Sequence, residues 1–142
     1  MDFIVDTLKP YIDANYRTKK QQKHTSLIGS SLGGLISYYG GLKYPQVFGK
    51  IGALSTSFWF SDKVKDFTKK YGNTNKVKLF LLVGGKEGFE MNSDTRKMKK
   101  LLIKTGFKSK NIKVKINPEG EHNEAFWKRE FLVVIKWLNN IK

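Results

Sequence analysis

The chain has 142 residues, 39% of them hydrophobic and 13% aromatic. That is long enough to bury a sizeable core in one domain, and too apolar for a disordered tail. Cysteine is absent, which removes disulfides, thiolate metal sites and cysteine nucleophiles together. The net charge of +15 is nearly all lysine scattered along the chain, with Arg17, Arg96 and Arg129 the only arginines. Without arginine's planar fork or any nucleic-acid motif, this reads as a solvated basic surface, with no nucleic-acid or membrane partner expected.

The first residues, Met1 to Asp6, carry acids where a signal peptide has a basic n-region, and no run is long enough to span a bilayer. A cytoplasmic protein is expected. Phe3, Ile4, Leu8, Tyr11 and Ile12 recur at helical spacing and predict a first amphipathic helix, interrupted near Pro10. Residues 15–24 form a polar, basic connection, and 25–29 a first strand running from Thr25 to Gly29. A helix over 32–42 follows, softened at Gly40-Gly41 before Tyr44-Pro45. Residues 48–54 supply a second strand and its approach, and 61–71 a short amphipathic helix closed by Gly72-Asn73.

The run Val77-Lys78-Leu79-Phe80-Leu81-Leu82-Val83 is nearly all apolar, as suits a parallel strand covered on both faces. Ser93 or Asp94 is expected to cap a helix that Gly106 ends after Thr105. Over 112–116 lysine alternates with apolar residues, the pattern of a strand near a sheet edge. The last helix is expected over 124–140, with Phe131, Val134, Ile135 and Leu138 inward. Strands alternating with helices imply one α/β domain, on a mainly parallel sheet of about four strands with right-handed crossovers.

Within this frame the stretch Gly29-Ser30-Ser31-Leu32-Gly33 is G-x-S-x-G, set between an apolar strand and a helix. A strand that reverses sharply into a helix holds its turn residue in a strained backbone state, and small neighbours let the chain close. Ser31 then projects clear of the sheet, and the Leu32 N–H points where an oxyanion would form. A serine hydroxyl needs a base within hydrogen-bond reach. Of the two histidines, His24 precedes the first strand, at the wrong end of the sheet, while His122 follows the last strand, at the same rim as Ser31. An acid must orient that imidazole. Glu87, just after the strongest strand, is the first choice, with Glu90 and Asp94 as alternatives.

These residues carry a resemblance. Gly29 to Ser37 is its first block, followed by Leu42-Lys43-Tyr44-Pro45 and Val47-Phe48-Gly49-Lys50. Ser55-Thr56-Ser57-Phe58-Trp59-Phe60 and Glu121-His122-Asn123-Glu124 with Trp127 complete the set. Together they resemble the esterase family of α/β hydrolases that holds esterase D and the enterobactin esterases, over essentially the whole chain. The resemblance implies a serine carboxylic-ester hydrolase with Ser31 as nucleophile and His122 as base. It also implies that Phe58 and Trp59 wall the substrate pocket, core packing being the other reading of that pair. Relatives often carry proline where Thr56 stands and an acid where Leu82 stands, which leaves Glu87 as the well-placed acid.

The chain begins where that family has its middle, with the first helix resembling the one just before the nucleophile strand. The strands before it, and the loop that gives a second oxyanion donor, are expected to be missing. Loss of one such donor costs about 10²–10³ in rate, so slow turnover of activated esters is expected. The 25–29 strand would then be an open edge, and a homodimer or a partner chain across it is expected. No metal cluster or dinucleotide fingerprint occurs, and no cofactor is inferred. Two other readings stand beside the esterase. One is a non-catalytic remnant or binding module that keeps the fold without turnover. The other is a basic surface binder, which would show steeply salt-dependent association.

Overall fold

The computed structural model describes residues 1–74 and 76–141. Strands β1 (Ser26–Ser30), β2 (Lys50–Leu54), β3 (Lys78–Gly84) and β4 (Ile112–Asn117) form one sheet in the order β1-β2-β3-β4, every neighbouring pair parallel. The register sets Ser30 beside Leu54, Leu54 beside Leu82, and Gly84 beside Asn117. The carboxyl ends of all the strands therefore share one rim, where an open α/β sheet gathers its functional groups.

The helices are α1 (Lys9–Asn15), α2 (Leu32–Lys43), α3 (Lys63–Tyr71), α4 (Phe89–Lys104) and α5 (Glu124–Asn139). Successive strand side chains point to opposite faces, so the apolar run of β3 feeds two cores. Leu79 and Leu81 join Ile51 and Ile112 against Tyr38 and Leu42 of α2 and Met98 and Leu102 of α4. Phe80 and Leu82 join Leu54 against Phe126, Val134 and Leu138 of α5. The sheet is thus covered on both faces, as the sequence of β3 requires. β4 lies at one edge, and its alternating lysines mark it as such. β1 lies at the other, and its outer side pairs with no described strand.

Three details differ from the sequence reading. Helix α4 starts at Phe89, directly behind Gly88 at φ 95°, so Ser93 and Asp94 sit inside the helix and cap nothing. Glycine takes that left-handed backbone without a Cβ penalty, and the cap falls five residues before Ser93. Asn92 secures the turn by donating to the carbonyls of Gly84 and Gly88 at 3.1 and 2.9 Å.

On α5, Phe131 is 48% exposed, and the inward line is Phe126, Glu130, Val134 and Leu138. These four recur at i, i+4, and Phe131 is turned away from them by one residue's rotation. Glu130 is accepted inside because β4 supplies its partners, Lys115 Nζ at 2.6 Å and Asn117 Nδ2 at 2.7 Å. At the N-terminus the chain is π-helical over Phe3–Leu8, with the Lys9 N–H reaching back to Ile4 O, and continues as α1, so the interruption expected near Pro10 is instead a widened helical turn. The apolar side chains Phe3, Leu8 and Tyr11 of this segment are exposed.

Candidate active site

The turn from β1 into α2 is a tight elbow. Ser31 sits at φ 55°, ψ −123°, a region that costs a non-glycine residue about 1–3 kcal/mol and persists only when its surroundings fix it. They do so here by backbone hydrogen bonds. The Ser31 N–H donates to Leu54 O at 2.9 Å, and Ser31 O accepts from Leu35 at 3.1 Å and from Ser57 at 3.3 Å. Closure also needs Gly29, because a Cβ there would lie 2.3 Å from the Gly33 carbonyl oxygen. Leu32 is the first helical residue, and an N–H in that position has no intrahelical acceptor.

The acid arrives from the turn after β3. Glu87 Oε1 accepts from the Gly84 N–H and from the Ser55 hydroxyl, both at 2.6 Å. Its other oxygen, Oε2, lies 2.9 Å from His122 Nδ1. The opposite ring nitrogen, His122 Nε2, lies 3.0 Å from Ser31 Oγ. The Glu87 side chain is fully buried, while that of His122 is 41% exposed. With Nδ1–H directed at the carboxylate, Nε2 is the ring nitrogen that can accept a proton from the serine hydroxyl, and a carboxylate on the far side of the ring can stabilise an imidazolium.

The histidine loop is pinned at both ends. Lys86 N–H donates to Gly120 O at 2.9 Å and Lys86 Nζ pairs with Glu119 at 2.6 Å. On the far side Asn123 caps α5, accepting from the Phe126 N–H at 2.9 Å.

The structure thus brings Ser31, His122, Glu87 and the Leu32 N–H to one rim. Of the other acids considered, Asp94 pairs with Lys97 at 3.4 Å, and Glu90 is exposed on a neighbouring cleft. His24 precedes β1, at the opposite end of the sheet. Phe58 is buried, its ring edge-on to Tyr38 at 5.2 Å, whereas Trp59 is 64% exposed. Both border a cleft of about 610 Å³ that α4 closes with Phe89 and Met98. On the other side of the same turn lies an apolar cleft of about 360 Å³, lined by Leu32, Ile36, Tyr39, Val64 and Phe67.

Ser55 and Trp127 are contributors that the sequence left without a role. Ser55, at φ 44°, donates to Glu87 and accepts from Trp127 Nε1 at 2.8 Å. Both residues lie in the blocks that carry the family resemblance, and that was the one available signal. Among the described residues no three His, Asp or Glu side chains are placed to hold a metal ion, and no helix is long and apolar enough to cross a membrane.

The family described as "Putative esterase" matches residues 1–138. The chain belongs to this esterase family. Its relatives include protein YbbA of Bacillus subtilis (strain 168), 30% identical over 142 residues, which cover 95% of this chain and 57% of that protein. Among solved structures, a ferulic acid esterase superposes with a TM-score of 0.77 at 16% identity, over 99% of this chain and 60% of its own. The enterochelin esterase of Shigella flexneri gives a TM-score of 0.81 at 19% identity, over 95% of this chain and 35% of its own. This esterase-family chain therefore has the α/β esterase fold and spans less than two thirds of the length of these relatives.

Proposed function

We propose that this chain is a serine carboxylic-ester hydrolase that works through an acyl-enzyme on Ser31. The observation that carries the reading is the unbroken line of hydrogen bonds, Ser31 Oγ to His122 Nε2 at 3.0 Å and His122 Nδ1 to Glu87 Oε2 at 2.9 Å. Membership of the esterase family supports the ester as the bond attacked.

In this mechanism Ser31 Oγ adds to the ester carbonyl carbon as its proton passes to His122 Nε2, and the carbonyl π pair moves onto oxygen. The Leu32 N–H donates to that oxyanion. Collapse re-forms the carbonyl and expels the alcohol, which takes the proton from His122. Water then repeats the sequence on the acyl-enzyme and frees the acid. Glu87 holds the imidazole in its tautomer throughout and does not itself take the proton. The turn at residues 57–61 borders the substrate, with Trp59 and Phe58 on one side and Leu32 and Ile36 on the other.

The test is hydrolysis of p-nitrophenyl acetate by the chain and by Ser31→Ala, together with labelling by a fluorophosphonate. Turnover that Ser31→Ala abolishes, and an adduct on Ser31, are expected. No adduct and no rate difference would leave a non-catalytic member of the fold.

A further inference from the structure

The turn after β2 sets a second hydroxyl against the nucleophile. Ser57 Oγ lies 3.4 Å from Ser31 Oγ, and Ser57 is 2% exposed. That contact is the only hydrogen bond its side chain makes among the described residues. Ser57 occupies the N-cap position of the turn over Phe58–Phe60, yet its side chain caps nothing. Ser55, two residues earlier, is by contrast fully committed to Glu87 and Trp127. Buried hydroxyls are almost always paired, and the single partner of this one is the oxygen proposed to react.

We infer that Ser57 is a positioning residue whose hydroxyl donates to Ser31 Oγ and holds that oxygen, with its proton, toward His122 Nε2. The inference rests on Ser31 acting as the nucleophile. The direction of the bond follows from proton count. Ser31 gives its own proton to His122 Nε2, so toward Ser57 it can only accept, and Ser57 donates. As attack proceeds the Ser31 proton moves to His122, the Oγ–carbon bond forms, and the electron pair of the carbonyl passes to its oxygen. Ser57 keeps its proton throughout. Its role is complete once the bond to carbon has formed: before attack it keeps Ser31 Oγ in the one orientation that faces both the base and the incoming carbonyl carbon.

The experiment is Ser57→Ala in the full chain, read by the second-order rate of fluorophosphonate labelling of Ser31 and by kcat and KM for p-nitrophenyl acetate. Labelling rate and kcat are expected to fall ~10–100-fold, below the loss seen for a fixed oxyanion donor, with KM within about twofold and the pH profile in place. Because the side chain caps nothing, thermal stability is expected to hold. Ser57→Cys, similar in shape and a weaker donor, is expected between the two, and it serves as the readout should the alanine variant not fold. Equal labelling rates for the parent chain and the variant overturn the inference while leaving Ser31 as nucleophile. A parent chain that takes no label overturns both.

Discussion

Trp127 donates its indole N–H to Ser55 Oγ at 2.8 Å, and Ser55 passes a hydrogen bond on to the buried carboxylate of Glu87 at 2.6 Å. The same indole stands edge-on to His122, with ring centroids 5.1 Å apart. One side chain thus braces Glu87 through Ser55 and His122 directly. Ser55→Ala leaves Glu87 Oε1 with the Gly84 N–H alone, and kcat is expected to fall ~10–100-fold at unchanged KM. Trp127→Phe keeps the ring contact and loses the donor, and a smaller loss is expected. Glu87→Gln should cost more than either, about 10⁴ by analogy with the loss of a triad acid's charge. Steady-state hydrolysis of p-nitrophenyl acetate ranks the three.

The elbow is intolerant of a methyl group at Gly29, where a Cβ would lie 2.3 Å from the Gly33 carbonyl oxygen, a backbone atom that cannot rotate aside. Gly29→Ala is expected to destabilise the fold by about 1–3 kcal/mol, and urea unfolding measures it. Ser31→Gly should move the other way relative to Ser31→Ala, because glycine relieves the strain at φ 55°.

Thr56 Oγ1 is buried with no hydrogen-bond partner among the described residues. Thr56→Val removes the orphaned hydroxyl and keeps the shape of the side chain. A gain of about 1 kcal/mol in unfolding free energy is expected, and a loss would mean that this hydroxyl has a partner.

Burial alone would raise the pKa of Glu130, but the hydrogen bonds from Lys115 and Asn117, with the charges of Lys115 and Arg129, bring it below the ordinary carboxylate value. A carboxylate lowered in the folded state stabilises it above the unfolded-state value, about 4.3 for glutamate, and that contribution is lost as pH falls through the folded value. The Glu130→Gln variant is therefore expected to be less stable than the parent at neutral pH, by about 1–3 kcal/mol. The gap should close toward acid pH. Unfolding curves at several pH values check both the sign and the window.

The outer side of β1 offers backbone donors and acceptors that pair with no described strand, a template for another strand. Self-association of the 142-residue chain through this edge is expected. Light scattering should give twice the 16.4 kDa chain mass. A stable monomer with this edge open to solvent is the result that rejects it.

Sequence pattern revealed most of the framework because each strand carries its environment in its composition. The uninterrupted apolar run of β3 can only be covered on both faces, and the alternating Lys113 and Lys115 of β4 can only sit at an edge. The elbow was legible as spacing, and His122 as the one histidine beyond a strand's carboxyl end. What stayed hidden depends on partners distant along the chain. Glu130 looks like a surface acid until β4 delivers Lys115 and Asn117, and with Glu130 inside, Phe131 must face solvent. Ser55 and Ser57 gain their places from backbone geometry after β2 that no local pattern announces. The start of α4 lies ahead of the capping residues because Gly88, in left-handed backbone, opens the helix, and no side-chain cap announces it.

The two margins of the sheet are unequal. β4 carries Lys113, poised over the Phe80 ring, and Lys115, drawn back to Glu130, and charged side chains there discourage a further strand. β1 has no such guard. The expected association through β1 would use up the one unguarded border among the described strands, and growth would then terminate at a pair instead of running on into a fibre.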